Sequence, residues 1–273
     1  FRRKVSVIKE HIKQGDMLQA VLSRQWFRRS TGDPWQAYLA MRRINPSPYM
    51  FYLKMGGLTL AGASPEMQVK VDGDRIHLRP IAGTRKVTGD PVEDEILRRE
   101  LLNDEKERAE HLMLVDLGRN DVGRVSRPGS VKVREFMVIE CYSHVVHLVS
   151  SVEGRLRPGL DALDAFTACF PAGTLTGAPK RKAMEIIDRL EPRARGPYGG
   201  AVGYLDFNGN LDSCITIRTI IHNGEAFCPQ AGAGIVADSI PELEDQETRN
   251  KARVLMLAVM EAEEVQENDS NDR

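Results

Sequence analysis

Two short stretches of the 273-residue sequence each place a pair of glutamates three residues apart. The stretch DEKERAEH contains Glu107 and Glu110, and the stretch PELEDQETRNK contains Glu244 and Glu247. On a helix, residues i and i+3 share one face. Carboxylate oxygens on rigid supports are the ligands that a hard divalent cation prefers. The spacing therefore indicates either a Mg²⁺ site or two solvated helix faces on which neighbouring Lys and Arg form ion pairs with the glutamates. By itself it leaves both interpretations open.

Two stretches of small residues form a second kind of candidate site. FPAGTLTGAPK contains Thr174, whose hydroxyl can donate to a ligand, and Pro179, which opens a predicted helix whose N-terminus favours anions. In QAGAGIV, Gly232 and Gly234 would allow a concavity of backbone N–H groups that suits a carboxylate. A plain strand-to-helix turn and a plain tight turn are the alternatives.

Single titratable residues supply further candidates. Glu66 in GASPEM follows a predicted hairpin arm, where a carboxyl could act as an acid or could simply be an exposed loop residue. His144 and His147 in SHVVHLVS are three apart on a predicted strand, so they face opposite sides and at most one lines a pocket. In HLRPIAGTRK, an unreactive alanine, Ala82, stands between Ile81 and Gly83 in a stretch whose backbone is tightly shaped by Pro80 and Gly83.

The elements that must position these residues mix helices with antiparallel strands. Helices are predicted over residues 3–14, 34–43, 91–118, 161–170, 179–190 and 241–264. Extended segments are predicted at 17–27, in hairpins at 50–66 and 67–81, at 131–140 and 144–156, and in a three-armed meander at 199–235. Because strands outnumber helical crossovers, the pattern predicts an α+β fold with a large antiparallel sheet.

Composition limits the function classes. Hydrophobic residues make up 41% and charged residues 28%, which fits one large globular domain or two intimate lobes. A formal net charge of -1 argues against a nucleic-acid binder. A mean hydropathy of -0.35 without a long apolar run argues against a membrane-spanning helix. A small-molecule or protein partner is therefore expected.

The cysteines and the first residues indicate a compartment. Cys141, Cys169, Cys214 and Cys228 are widely spaced in apolar stretches, which predicts buried thiols in a reducing, cytoplasmic compartment, with a disulfide pair as the alternative. FRRKVSVIKE lacks the apolar segment of a secretory signal and reads as a helix already under way, which suggests a piece of a longer polypeptide.

Four motifs in one order resemble the chorismate-utilising enzymes and, within that family, the catalytic part of the anthranilate synthases: DEKERAEHLMLVDLGRNDVGRVS, FPAGTLTGAPK, QAGAGIVADS and ETRNKA. The resemblance runs from about residue 12 to residue 261. It implies an α+β fold of two large antiparallel β-sheets in a sandwich with flanking helices. Residues 1–265 would form the chorismate-binding catalytic domain and 266–273 a polar tail, and the family's N-terminal regulatory region would lie outside this chain.

The resemblance also implies roles for the charged candidates. Mg²⁺ would be held by Glu110 and Glu247, supported by Glu107 and Glu244, and would grip the ring carboxylate of chorismate. Glu66 would protonate the departing C4 hydroxyl. His147 would help to aromatise the ring, which leaves His144 without a catalytic role. Thr174 would help to fix the substrate. The implied substrate-binding residues are Ala82, Gly83, Thr84, Tyr204, Arg218, Ala231, Gly232, Ala233, Gly234 and Lys251.

Within the substrate-binding set, Arg218 would clasp the enolpyruvyl carboxylate with help from Tyr204, because a planar guanidinium can bond both oxygens. Lys251 and the backbone of residues 232–234 would hold the substrate carboxylates near the metal. These roles come from the resemblance alone.

Two departures from related enzymes bear on the nucleophile. Where this chain has Ala82, relatives that make aminodeoxychorismate carry a lysine that attacks C2, and where it has Gln19, relatives that add water carry a lysine base. An alanine has no amine and an amide has no basic lone pair, so the two residues favour ammonia. The expected product is anthranilate. An enzyme that stops at 2-amino-2-deoxyisochorismate, an aminodeoxychorismate synthase and a non-catalytic chorismate- or tryptophan-binding subunit remain alternatives.

The resemblance implies regulation and a partner. NPSPYM resembles part of the family's tryptophan feedback site and comprises Asn45, Pro46, Ser47, Pro48, Tyr49 and Met50. The chain contains no amidotransferase triad, so ammonia would come from a separate glutamine amidotransferase subunit in a hetero-oligomer, or from solution.

Overall fold

The computed structural model describes residues 1–141 and 145–271, which form seven α-helices and fourteen β-strands. The helices are α1 (Arg2–Lys13), α2 (Pro34–Ile44), α3 (Pro91–Asn103), α4 (Glu105–Gly123), α5 (Ala162–Cys169), α6 (Lys180–Leu190) and α7 (Pro241–Asn271). The first seven strands are β1 (Gln19–Gln25), β2 (Arg28–Arg29), β3 (Tyr49–Met55), β4 (Leu58–Ser64), β5 (Met67–Asp72), β6 (Arg75–Leu78) and β7 (Ile81–Lys86). The others are β8 (Lys132–Cys141), β9 (Val145–Arg155), β10 (Gly177–Ala178), β11 (Ala201–Leu205), β12 (Leu211–Ile215), β13 (Thr219–His222) and β14 (Ala226–Ile235).

The strands form two seven-stranded antiparallel sheets, which confirms the predicted α+β class. The first has the order β10-β1-β14-β13-β4-β3, with β2 paired to β14. The second has the order β11-β12-β5-β6-β9-β7, with β8 paired to β9. The chain divides into two compact units that are discontinuous in sequence. The first unit contains Phe1–Glu66, Thr174–Val202 and Cys214–Arg273, and the second contains Met67–Gly173 and Gly203–Ser213.

The first unit has two main apolar clusters that fix its helices. Met41 of α2 and Leu255 of α7 pack with Phe227 of β14, and all three are almost fully buried. Ile8 of α1 and Ile186 of α6 pack with β1 and the end of β14 in the other cluster. α2 begins where Asp33 accepts a hydrogen bond from Trp35 N and Pro34 occupies the first turn, as a helix start requires. Helix α7 is therefore anchored along its apolar face.

The second unit has one main core between its sheet and its helices α4 and α5. Val69 of β5, Val115 of α4, Val152 of β9 and Ala165 of α5 are buried in it. α4 lies close to β9 because Gly154 has no side chain: a Cβ there would be 2.4 Å from Val122 Cγ1. Helix α4, which carries one acidic pair, is thereby held against the strand that carries His147.

The predicted helix over 91–118 is wrong as a single element, because it consists of α3 and α4. Asp104, between them, has an extended backbone and accepts hydrogen bonds from Lys106 N and Glu107 N, both at 3.1 Å. An aspartate that bonds the first N–H groups of a helix competes with helix continuation. The composition of this stretch favours a helix throughout, so the break at Asp104 could not be predicted from it.

The predicted meander over 199–235 is also wrong, because it contains four strands that belong to two sheets. β11 and β12 lie in the second sheet, whereas β13 and β14 lie in the first. The chain leaves one sheet for the other at 216–218, where Arg218 has a φ of 49°. Alternating hydrophobicity predicts strands but not the sheet to which each belongs.

Other expectations have mixed outcomes. α7 extends to Asn271 rather than ending at 264, so its helical backbone includes most of the predicted polar tail. Cys169, Cys214 and Cys228 are buried thiols as predicted, but Cys141 is exposed on β8, and none of the four forms a disulfide. His144 lies outside the described residues. Among the described residues, no helix combines the length and apolar character needed to cross a membrane.

Candidate functional site

In the first unit, Glu66 lies between β4 and β5 with its main chain tightly fixed. Its carbonyl accepts a hydrogen bond from Ile215 N at 2.9 Å, and the Ser64 hydroxyl donates to Ile215 O at 2.6 Å. Burial raises the pKa of the Glu66 carboxyl to about 7, although the Thr174 hydroxyl and the charges of Lys251 and Arg218 oppose this rise. At neutral pH the carboxyl is thus divided between its acid and its anion, as a general acid requires.

Thr174 lies in a short 3₁₀ turn, Gly173–Leu175, ahead of β10 and α6. Its Oγ1 is buried and approaches Glu66 closely enough to lower the pKa of that carboxyl, but it completes no hydrogen bond of good geometry with a described residue. A buried hydroxyl without a partner is costly. The arrangement suits a ligand atom. Pro179 caps α6 rather than occupying its first turn.

Arg218 brings a positive charge to the same part of the first unit. Burial lowers the pKa of its guanidinium, and Tyr198, Glu247 and Glu66 favour its charged form. Its positive φ of 49° is unusual for a residue with a side chain, and its carbonyl accepts from Ala63 N. Strain of this kind is common at functional positions.

Tyr198 is a functional candidate that the sequence reasoning missed. It is 6% exposed, and burial raises the pKa of its phenol. Tyr204, the tyrosine predicted beside Arg218, lies on β11 with 66% of its surface exposed. Within the first unit, the tyrosine that interacts with Arg218 is therefore Tyr198. The signal that could have found it is its setting in GPYGG, where small residues leave room for a ring.

The segment Ala231, Gly232, Ala233 and Gly234 does not form the predicted turn or concavity. It lies in β14, where Gly232 pairs with Ser23 and Gly234 with Val21 of β1. The backbone is regular here because β1 supplies a full ladder partner. Glycine is still required at 232, since a Cβ would lie 2.9 Å from the Tyr198 hydroxyl and 3.0 Å from Leu22 O.

Lys251 links α7 to β14. Its Nζ donates to Gly232 O at 3.1 Å and forms an ion pair with Glu247. Glu244 and Glu247 are both on α7, as the i, i+3 spacing predicts, and Glu244 is 9% exposed. An acidic pair on one helix, with a lysine beside it, thus lies in the unit that contains Glu66.

Gln19 begins β1 opposite Ala178 of β10 and is 3% exposed. A neutral amide at a buried position avoids the desolvation cost that a lysine would carry there. The structure places Gln19 in the first unit, as it does the six residues proposed for tryptophan. Asn45 is the C-cap residue of α2, and Tyr49 and Met50 begin β3. Between them, the Ser47 hydroxyl donates to Asn45 O at 3.4 Å.

In the second unit, His147 faces the residues that follow Ala82. Its Nδ1 donates to Gly83 O at 2.9 Å and lies 3.1 Å from Thr84 Oγ1. A carbonyl can only accept, so Nδ1 carries the proton and Nε2 holds the basic lone pair. Ala82 lies opposite Leu148, and a bulge between Ala82 and Thr84 places Gly83 at a φ of 63°.

The acidic pair on α4 lies beside this bulge. A Cβ on Gly83 would be 3.1 Å from Glu107 Oε2, so the missing side chain allows the carboxylate to approach the strand. Arg85 Nη1 donates to Glu107 Oε1 at 3.2 Å. Glu110 follows one turn later on the same helix. The pairs predicted to bind Mg²⁺ are thus divided between the two units, and the described residues include no group of three or more His, Cys, Asp or Glu arranged to ligate a metal.

His111, beside Glu110, is a buried residue that the sequence reasoning did not single out. Its Nε2 lies 2.7 Å from the Ser150 hydroxyl of β9, and Ser150 Oγ also accepts from Met137 N at 2.9 Å. Burial lowers the pKa of His111 to about 4, so the ring is neutral. It ties α4 to the strand of His147.

Comparison with known proteins gives these residues a context. The match to the family described as chorismate binding enzyme covers residues 1–257. The chain belongs to this family.

Relatives and structures agree with this membership in the chorismate binding enzyme family. Anthranilate synthase component 1 of Acetivibrio thermocellus is 57% identical over 97% of this chain and 54% of its own length. The protein of the same name from Aquifex aeolicus is 55% identical over 98% and 54%. Anthranilate synthase component I from Streptococcus pneumoniae superposes with a TM-score of 0.87 at 46% identity, over 93% of this chain and 57% of that one. The menaquinone-specific isochorismate synthase of Escherichia coli gives 0.86 at 25% identity, over 94% and 60%.

The predicted family and its α+β fold are thereby confirmed. The chain spans about half the length of the relatives it matches. The roles assigned to individual residues stay predictions.

Proposed function

We propose that this chain carries the catalytic part of an anthranilate synthase, which aminates chorismate at C2 with loss of the C4 hydroxyl and then eliminates pyruvate. Relatives named anthranilate synthase component 1 are 50 to 57% identical over almost the whole chain. The reaction balances as chorismate plus ammonia giving anthranilate, pyruvate and water.

The observation that carries this proposal is the environment of Glu66. A carboxyl with a pKa near 7 can hold a proton at neutral pH and deliver it to the C4 hydroxyl oxygen, which then departs as water. Arg218 and Lys251 act on the same carboxyl. Two cations beside an acid suit a substrate with two carboxylates, which chorismate has.

Ammonia is the nucleophile that these residues favour. Ala82 offers no amine to attack C2, and the Gln19 amide cannot activate water, so an external amine must form the new C–N bond. The C2 proton then leaves together with the enolpyruvyl group, which is released as pyruvate from C3. His147 is the proposed acceptor of that proton, because its Nδ1–H is held by Gly83 O and its other nitrogen is basic.

The acidic pairs suit Mg²⁺. Each provides two carboxylates on one rigid helix, and one member of each pair has a cationic side chain beside it: Lys251 for Glu247 and Arg85 for Glu107. We propose Glu110 and Glu247 as ligands, with Glu107 and Glu244 in support. When bound, the ion would supply positive charge for the ring carboxylate of chorismate. Replacement of Glu110 or Glu247 by Gln should abolish Mg²⁺-dependent turnover.

Ammonia supply and regulation belong to the same proposal. A separate glutamine amidotransferase subunit would deliver ammonia in a hetero-oligomer, and free ammonium would replace it in the test tube. Asn45 to Met50 would form part of a tryptophan site. Four cysteines without a disulfide, three of them buried, suit a reducing cytoplasmic compartment.

The test is incubation with chorismate, Mg²⁺ and ammonium chloride, followed by anthranilate fluorescence and pyruvate release. Equal amounts of both products are expected. A non-fluorescent amino product without pyruvate would instead identify a 2-amino-2-deoxyisochorismate synthase. Binding of chorismate without any product, at all ammonium concentrations, would identify a binding subunit.

A further inference from the structure

The first turns of α7 carry two interleaved sets of polar side chains. The first set is Glu244 and Glu247, the proposed metal-binding pair. The second set is Asp245, which follows Glu244, and Thr248, which follows Glu247. One residue rotates a helix by about 100°, so the second set points away from the first. Asp245 is 5% exposed and Thr248 is fully buried. The proposed function does not use this second set.

Arg24 of β1 binds this second set with three hydrogen bonds. Nη1 donates to Asp245 Oδ1 at 2.7 Å, and Nη2 donates to Asp245 O at 2.7 Å and to Thr248 Oγ1 at 2.6 Å. Thr248 Oγ1 in turn donates to Asp245 O at 2.8 Å. The guanidinium thus binds a side chain, the main chain and a second side chain of one turn. A planar fork with these three acceptors fixes both the rotation and the axial position of that turn.

Arg24 is itself held in place. Its guanidinium lies 4.8 Å from the centre of the Phe1 ring and 4.9 Å from that of Trp26. Its side chain is 20% exposed. It lies in the ladder of β1 opposite Ala231 of β14, one position from the Ser23 and Gly232 pair. An arginine stacked on aromatic rings and fixed in a sheet is a rigid support rather than a mobile surface charge.

Other arginines near Asp245 lack these properties. Arg249 Nε donates to Asp245 Oδ2 at 3.0 Å, but its side chain is 57% exposed and lies on α7 itself. Arg2 lies 3.6 Å from the same oxygen and is also 57% exposed. Arg249 therefore contributes charge without tying the helix to the sheet, which makes it a matched control for Arg24.

We infer that Arg24 is a positioning residue for the metal-binding pair of α7. It holds the turn of residues 244–248 against β1, while Lys251 ties the next turn to Gly232 O of β14. The two attachments present Glu244 and Glu247 in one fixed orientation. This inference rests on the proposed Mg²⁺ role of the pair, and it assigns to β1 a part in metal affinity rather than in the chemical step.

The test compares Arg24→Lys with Arg249→Lys in the otherwise unchanged protein. Lysine keeps the charge but cannot form the fork. Binding of Mn²⁺, followed by electron paramagnetic resonance, and the Mg²⁺ concentration that half-saturates turnover are measured with the thermal midpoint of each variant. Substitution of a residue that orients a metal ligand typically weakens metal affinity 10- to 100-fold. We expect Arg24→Lys to weaken both metal readouts at least about tenfold. Turnover at saturating Mg²⁺ should change less than about twofold, and Arg249→Lys should change metal affinity less than about twofold.

Equal metal affinity in wild type and folded Arg24→Lys would overturn the inference. Should Arg24→Lys not fold, Thr248→Val removes, at constant shape, the bond from Arg24 and the bond from the Thr248 hydroxyl to Asp245 O. This variant is expected to weaken metal binding about two- to fivefold. No change in it would be equally decisive against the inference. Failure of the proposed function has a different signature, because the wild type would then make no anthranilate or bind no Mn²⁺.

Discussion

At the scale of the residue, Glu66 and His111 show how the same physical cause acts in opposite directions. Burial disfavours charge, so it raises the pKa of the Glu66 acid to about 7 and lowers that of the His111 base to about 4. The charges of Lys251 and Arg218 partly offset the effect at Glu66, whereas burial is the cause that acts on the pKa of His111. The first is suited to proton transfer and the second to a neutral structural role.

Replacement of Glu66 by Gln tests the acid. The amide keeps the shape but has no proton to deliver, so turnover should fall about 10²- to 10⁴-fold. In the wild type, kcat/KM should decline as the pH rises above about 7. Because the folded pKa is raised from 4.5, the associated stabilisation is complete below pH 4.5 and is lost as pH rises to about 7. Glu66→Gln should therefore raise the free energy of unfolding at pH 8 by on the order of 1 to 3 kcal/mol. Lower stability of the variant at pH 8 would contradict the pKa.

Replacement of His111 by Gln tests the neutral histidine. Its folded pKa lies below the ordinary value of 6.5, so its stabilisation is present above pH 6.5 and is lost as pH falls towards 4. Between pH 7 and pH 5, the wild type should lose on the order of 2 kcal/mol that the variant does not lose. Urea unfolding at both pH values measures the difference. Glu66 changes stability in the opposite sense over the same range, so the wild type alone is uninformative. Equal pH dependence in both proteins would exclude this role for His111.

At the scale of the element, the break between α3 and α4 determines where the second acidic pair stands. Asp104 caps α4 and also accepts from Arg85 Nη2 at 2.9 Å, and the same arginine binds Glu107. The cap therefore fixes both the start of the helix and the position of its first carboxylate. A single helix over 91–118 would have placed Glu107 in a helix interior.

Asp104→Ala should lower the free energy of unfolding by about 1 to 2 kcal/mol, because two N–H groups lose their acceptor and Arg85 loses an ion pair. Asp90→Ala is the matched control: Asp90 caps α3 through Val92 N and Glu93 N but is exposed. It should cost about 1 kcal/mol or less. Urea unfolding of both variants measures the difference. A smaller cost at Asp104 than at Asp90 would refute the additional role of Arg85.

The elements that the sequence predicts correctly are those fixed by interactions between residues close together in the chain. The hairpins β3–β4 and β5–β6 turn at Gly56 and Gly73, both with a φ of 57°, and such local signals are legible in a single stretch. The allocation of β11 to β14 between two sheets depends on partners far away in the chain, such as β1 for β14. The setting of Tyr198 in GPYGG indicates room for a ring, but its neighbours Gly232 and Arg218 are distant in sequence and could not be predicted from that stretch. The spacing of the acidic pairs was predictable because it is a helical property.

At the scale of the whole molecule, the reactivity of the cysteine thiols measures how completely the core of each unit is packed. Cys169 is in the core of the second unit, Cys214 and Cys228 are buried in the first, and Cys141 is exposed. Burial raises the pKa of the Cys228 thiol, which slows its reaction further.

Native protein should therefore react rapidly with a thiol reagent such as Ellman's reagent at one site per chain, Cys141. The other three should react only as fast as the protein opens. Cys141→Ser should remove the rapid phase and leave the slow phases unchanged. Rapid modification of more than one thiol in the wild type would show that the packing described for Cys169, Cys214 and Cys228 is wrong.

The order of the chain has a consequence for biosynthesis. The ladder partner of β1 is β14, roughly 200 residues later, and α2 shares its apolar cluster with α7, later still. A ribosome adds about 5 to 20 residues per second, so β14 is synthesised roughly 10 to 40 seconds after β1. During that interval Leu22 and Met41 are not yet buried by β14 and α7, and chaperones have time to bind the nascent chain. Variants that weaken α7 should accordingly reduce the yield of folded protein during translation, before any finished enzyme exists to be unfolded.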